Sequence, residues 1–276
     1  MDLPSPPVRR LGVFDSGAGG LTVYAALASV LPRADLLYIG DTARVPWGTR
    51  SPHTVRSYAA DMVRFLLDQG CDGIVIACHT ASALAADSLR EQWPGLPILD
   101  VISPTVAEIM AEHPAVVGVL GTRGTVRSGA WARALQAQAS GLRVVSQACP
   151  LLVPLVEESW TEGPVVEAVI HRYLSAMPAD EAPDALVLAC THYPLLRACI
   201  QRVATAYWGR PVSLHDCAGP TARACAARWP GAGGEGPVGL RQAWATDAPQ
   251  ELRAWLTRLM PEGACVPVEA ADVAGA

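Results

Sequence analysis

The chain has 276 residues, 51% of them hydrophobic and 17% charged, with a net charge of −5 and a pI of about 5.7. That length and apolar content suit one large or two smaller globular domains and exclude a disordered chain. The acidic balance leaves no electrostatic footprint for nucleic acid, and the apolar runs are too short and too often broken by charge to span a membrane. The proline-rich stretch 1–10 lacks the apolar core of a signal peptide, so the chain is expected to be cytoplasmic.

All 21 basic residues are arginine. Without lysine there is no Schiff base for pyridoxal phosphate and no P-loop cation. The eight cysteines include no Cys-x-x-Cys pair and no His/Cys cluster with zinc spacing, so no metal is expected and most thiols read as small buried hydrophobes.

In chain order, strands and helices alternate, as in α/β folds with parallel sheets. Residues 11–14 read as a strand running into the loop Asp15-Ser16-Gly17-Ala18-Gly19-Gly20, then a helix over 21–30. A strand at 36–40 leads into a long loop, 41–50. Ser51 followed by Pro52 signals a helix start, and Gly70 its close. A strand over 72–78, a helix over 80–93 and a strand over 97–102 follow, with Ser103-Pro104 as the next helix start. A second series then begins with a strand at 116–122, a helix at 128–139 and a strand at 142–147. A loop at 150–161 precedes a helix at 163–177, a strand at 184–190 and a helix at 193–208. The remainder reads as a strand at 212–215, a helix at 220–229, a glycine-rich loop at 231–236, a strand at 240–244, a helix at 249–259 and a fraying tail from 261.

One stretch occurs twice. Asp72-Gly73-Ile74-Val75-Ile76-Ala77-Cys78-His79-Thr80 and Asp184-Ala185-Leu186-Val187-Leu188-Ala189-Cys190-Thr191-His192 are each an aspartate, an apolar run, Ala-Cys, then His and Thr in swapped order. Such runs read as strands buried on both faces of a parallel sheet, and ligands bind beyond the carboxyl ends of such strands. The similar offsets between the two series point to an internal duplication. The expected fold is α/β with two pseudo-symmetric domains, each a parallel sheet flanked by helices, and an active site in the cleft between them. The first domain is placed at 1–101 plus 211–276, carrying Cys78, and the second at 102–210, carrying Cys190.

A cysteine at the end of each of two sheets allows either a nucleophile with an accessory thiol, or two acid/base groups approaching one carbon from opposite faces. Both cysteines precede helix starts, whose dipoles favour a thiolate. A thiolate and a thiol together could remove a proton from one face of a carbon and deliver one to the other. Asp15, with Ser16, sits at the mouth of the first strand, where a carboxylate suits an ammonium group or a thiol to be oriented and repels phosphate. Thr80, Thr122, Thr125 and Thr191 supply hydroxyls, His192 is a partner for Cys190, and Glu157 ends an apolar segment.

These residues, with the segments 12–23, 38–46, 77–83, 153–157 and 189–195, closely resemble the glutamate racemases of the aspartate/glutamate racemase superfamily. The resemblance implies interconversion of L- and D-glutamate without a cofactor, supplying D-glutamate for peptidoglycan. It implies Cys78 and Cys190 as the acid/base pair, with Asp15 assisting Cys78, and Glu157 and His192 assisting Cys190. It also implies substrate contacts from Asp15, Ser16, Trp47, Gly48, His79, Thr80, Thr191 and His192, with Thr122 and Thr125 carried over less firmly. Two positions depart from the family pattern: Trp47 stands where tyrosine is usual, and His79 where asparagine is usual. Glutamate is therefore the expected partner, with neither nucleic acid nor membrane. A homodimer is one candidate oligomeric state. Two rival readings stand beside this one: a racemase of aspartate or a related acid, and a weakened amino-acid-binding regulatory protein kept in view by His79.

Overall fold

A computed structural model describes residues 8–178, 182–229, 237–260 and 266–273. In chain order the elements begin with β1 (Arg10–Asp15), α1 (Leu21–Val30), β2 (Asp35–Gly40), α2 (Pro52–Asp68), β3 (Gly73–Ile76), α3 (His79–Gln92) and β4 (Ile98–Asp100). Next come α4 (Ile102–Met110), β5 (Val116–Gly121), α5 (Arg123–Ser128), α6 (Ala130–Gln138), β6 (Arg143–Ala148), α7 (Leu152–Glu157), α8 (Pro164–Leu174), β7 (Ala185–Ala189), α9 (Arg197–Trp208) and β8 (Ser213–His215). The chain ends with α10 (Ala218–Arg228), β9 (Arg241–Ala245), α11 (Pro249–Leu259) and β10 (Val268–Ala270). Short 3-10 turns lie at Thr42–Arg44, Trp47–Thr49 and Tyr193–Leu196.

The strands form two parallel sheets, ordered β10-β9-β2-β1-β3-β4 and β6-β5-β7-β8. Helices flank each: α2 packs on α3 and α1 on α10 and α11 in the first unit, and α8 packs on α9 in the second. The inner strands β1, β3, β5 and β7 are buried almost throughout, which is why their sequences show continuous apolar runs. The chain divides into two compact units, Met1–Val101 with Ala218–Ala276, and Ile102–Cys217. The return to the first unit thus falls at 217/218 and not at 210/211. The reason is β8, which pairs with β7 and so belongs to the second sheet.

In both sheets the connection reverses direction at the same point. After β1 the chain crosses to β2 on one side, then returns to lay β3 on the other; β5, β6 and β7 repeat the pattern. The carboxyl ends of β1 and β3, and of β5 and β7, therefore flank a topological switch, where open α/β sheets bind ligands.

Several local expectations are corrected. The helix expected to start at Pro104 after a Ser103 cap begins two residues earlier, at Ile102, which puts both Ser103 and Pro104 inside its first turn. The helix expected at 128–139 is α6, Ala130–Gln138, and a second helix, α5, fills Arg123–Ser128 ahead of it; Gly129, at a left-handed φ of 65°, separates the two. The loop expected at 150–161 contains α7, with Pro154 in its first turn, where a missing N–H has no intrahelical partner to lose. The expected fraying tail contains β10, which adds a parallel strand beside β9. The glycine-rich segment 231–236 and Cys265 lie outside the described residues. Among the described residues no helix is long and apolar enough to cross a membrane.

Candidate active site

In the first unit, β1 ends at Asp15, opposite Gly40 of β2, and β3 delivers Cys78 two residues past Ile76. Asp15 is fully buried, and its Oδ2 accepts the N–H groups of Gly17 at 3.1 Å and Gly20 at 3.0 Å. A Cβ at Gly20 would lie 2.4 Å from the Asp15 Cβ, so only glycine lets the loop fold back onto this carboxylate. Ser16 Oγ lies 3.5 Å from Cys78 Sγ, across the β1/β3 switch. Cys78 is the N-cap of α3, and its sulfur accepts the Ala81 N–H at 3.5 Å.

Burial, and secondarily the Asp15 charge, push the Cys78 thiol up to about 12, against weaker hydrogen bonds from Ser16 and Ala81. The expectation that the helix start favours a thiolate is corrected here: desolvation outweighs the dipole, and the resting group is a thiol. His79 and Thr80 form the first turn of α3, both buried. Trp47 and Gly48 lie in the Trp47–Thr49 turn, which packs against α3. The Trp47 ring is buried in the same apolar cluster as Cys78, and its indole N–H donates to Asp41 Oδ2 at 3.0 Å. That carboxylate also takes Arg44 Nε at 2.7 Å, and Thr246 Oγ1 at 2.9 Å. The donor of Trp47 is thus spent inside the protein.

In the second unit, Cys190 directly follows β7. Its sulfur lies 3.9 Å from His192 Nδ1, and His192 Nε2 lies 3.3 Å from Glu157 Oε1. Glu157 is the last residue of α7, which is how a position expected to end a loop reaches the histidine. The result is a Glu157–His192–Cys190 chain in which the thiol and imidazole are buried and the carboxylate is half exposed. Thr191 is buried between them in sequence. Thr122 directly follows β5 and caps α5 by accepting the Thr125 N–H at 3.2 Å, with the two hydroxyls 2.9 Å apart.

The expected residues thus assemble as two half-sets, each within its own unit. Sequence reasoning missed Tyr38, Asp41, Cys149 and Tyr193, which surround them. Tyr38, Asp41 and Tyr193 lay within the family-like segments without a role, and Cys149, just past the expected strand at 142–147, counted only among the thiols read as buried hydrophobes. Among the described residues no group of three or more His, Cys, Asp or Glu side chains could hold a metal ion.

The family model for Asp/Glu/Hydantoin racemase matches residues 17–222. A glutamate racemase of Syntrophus aciditrophicus is 46% identical over 227 residues, 82% of each chain. Among solved structures, glutamate racemase from Francisella tularensis in complex with D-glutamate superposes with a TM-score of 0.87 at 32% identity, covering 98% of both chains. Glutamate racemase from Thermus thermophilus in complex with beta-chloro-D-alanine gives 0.80 at 39% identity, again with 98% of both chains. The chain belongs to the Asp/Glu/Hydantoin racemase family, among its glutamate racemases.

Proposed function

We propose that this enzyme interconverts L- and D-glutamate by a two-base mechanism without a cofactor, with Cys78 and Cys190 addressing opposite faces of Cα. The observation that carries the reading is the matched placement of the thiols. Each follows the strand on the far side of its sheet's switch point, with polar partners that differ between the two.

In one direction a thiolate takes the Cα proton, forming S–H, while the C–H electron pair delocalises into the α-carboxylate. The opposite thiol then gives its proton to the other face of Cα and becomes the thiolate. The product is the mirror-image amino acid, and the two cysteines have exchanged protonation states. On the Cys190 side, a His192 proton held on Nε2 toward Glu157 leaves Nδ1 free to accept from the thiol, the logic of an oriented general base. On the Cys78 side, Ser16 and the Ala81 N–H stabilise the thiolate, and Asp15 raises the cost of forming it until a substrate ammonium neutralises that carboxylate. Asp15 and Ser16, the Gly48 backbone, Thr80, Thr122, Thr125 and Thr191 bind the substrate, with Trp47 and His79 shaping the pocket. The product supplies D-glutamate for peptidoglycan in the cytoplasm.

The test is circular dichroism with purified protein on L-glutamate, D-glutamate and L-aspartate. Loss of the signal with both glutamate enantiomers supports the assignment. Turnover of aspartate in its place would overturn the substrate, and binding without turnover would overturn the enzyme reading.

A further inference from the structure

Beside each thiol stands a fully buried tyrosine that the mechanism above leaves idle. Tyr38 is on β2, and its hydroxyl donates to the Gly17 carbonyl at 2.6 Å. Gly17 is the residue whose N–H holds the Asp15 carboxylate, and it follows Ser16, the neighbour of Cys78. The backbone is tight here: a Cβ on Gly40 would come within 2.3 Å of the same Gly17 oxygen. Tyr193 comes from a different place in the topology, the 3-10 turn just after Cys190. Its N–H donates to the Cys190 carbonyl at 3.1 Å, and its hydroxyl donates to the Cys149 carbonyl at 2.8 Å. The Cys149 N–H in turn donates to Gly121, the residue before Thr122.

Burial, with Asp15 and Cys78 around Tyr38 and with Cys190 and Cys149 around Tyr193, holds both phenols well above the usual tyrosine range. Both therefore act as neutral O–H donors near neutral pH.

We propose that Tyr38 and Tyr193 are positioning residues, one for each thiol, each pinning by a single hydrogen bond the strand-end backbone that sets the groups around its cysteine. The assignment rests on the two-thiol reading. Removing the Tyr38 hydroxyl takes away the donor that holds the Gly17 carbonyl, and removing that of Tyr193 leaves the Cys149 carbonyl held only by the Leu152 N–H at 3.1 Å. Either change lets the backbone there shift, and a misplacement of about 1 Å is enough to slow proton transfer severely. The effect should fall on one thiol only.

Racemisation needs both thiols, so a one-sided reaction is the right probe. With 3-chloroglutamate, one base removes the Cα proton, the C–H electron pair forms the Cα=Cβ bond, and chloride leaves with the C–Cl pair. The enamine tautomerises and hydrolyses to 2-oxoglutarate and ammonium, and chloride release is measured for the L and D configurations at Cα. Cys78→Ser and Cys190→Ser first assign one configuration to each thiol. Tyr38→Phe is then expected to lower kcat/KM roughly tenfold for the configuration that Cys78 deprotonates and under about twofold for the other, with Tyr193→Phe giving the reverse. The ratio of the two configurations is the readout. Partial misfolding lowers both alike and leaves that ratio unchanged. Equal losses on both configurations, or none, overturn the positioning roles. If the serine variants fail to separate the configurations, the two-thiol reading falls and this assignment falls with it.

Discussion

Cys78 holds its proton at rest because it is buried beside a carboxylate that is itself buried. With the thiol pushed up to about 12, its alkylation by iodoacetamide should be slow near neutrality and still be rising steeply at pH 10. Peptide mass spectrometry across pH 6–10 reads this directly; a plateau below pH 8 would contradict it. On the other side, Glu157 Oε1 lies 3.3 Å from His192 Nε2, and His192 Nδ1 lies 3.9 Å from the Cys190 sulfur. Glu157→Gln should lower kcat about tenfold and His192→Asn about a hundredfold, with KM for glutamate changed less. Steady-state kinetics in both directions checks this. The residue scale was also where the sequence was most informative about chemistry. Cys78, Cys190 and His192 are marked by the repeated motif. The tyrosines behind them are not, because a buried tyrosine, on a strand as Tyr38 or in a turn as Tyr193, looks like core until its hydroxyl's partner is seen.

Strand periodicity made the elements legible, and Leu21–Val30 and Pro249–Leu259 are where the apolar spacing and the prolines put them. Ser51 caps α2 by accepting the Thr54 N–H at 3.2 Å, as the Ser-Pro signal implies. Ser51→Ala should cost about 1 kcal/mol in a urea titration with kcat unchanged. What stayed illegible was long-range. The loop expected over 150–161 hides α7, too short to show periodicity, and β10 has only three residues, so its pairing with β9 leaves no local signature. The loop after β2 is similar: Asp41 gathers Trp47, Arg44 and Thr246, the last 205 positions away in sequence. Burial raises the Asp41 carboxyl against the opposing pull of Arg44, so the knot depends on all its members. Asp41→Asn should destabilise by about 3 kcal/mol, since it leaves the Arg44 guanidinium buried with less to balance it. The urea midpoint, with m unchanged, is the check.

For the whole molecule, buried thiols set the alkaline limit. Cys71, Cys78 and Cys225 are each pushed up to about 12, in every case mainly by burial. A folded-state value above the unfolded one means that the folded chain binds these protons more tightly. The stability they lend is complete below the unfolded value near 8.5 and is lost as pH rises toward 12, by at most about 1.4 kcal/mol per pH unit for each thiol. Urea melts at pH 8 and pH 10 should show that loss, and Cys225→Ala should shrink it. At this scale the duplication was legible as two similar offsets, and the sheets share the same switch. The exact return point was not, because β8 is too short to declare which sheet it joins. The central claim is that two different groups handle the proton on the two faces of Cα. It is tested most directly by starting racemisation from L-glutamate in D2O and analysing both enantiomers by mass spectrometry at early conversion. Deuterium at Cα of the D-glutamate product, with the remaining L-glutamate unlabelled, is the predicted result. Protium carried from substrate into product, or equal label in both enantiomers, would contradict it.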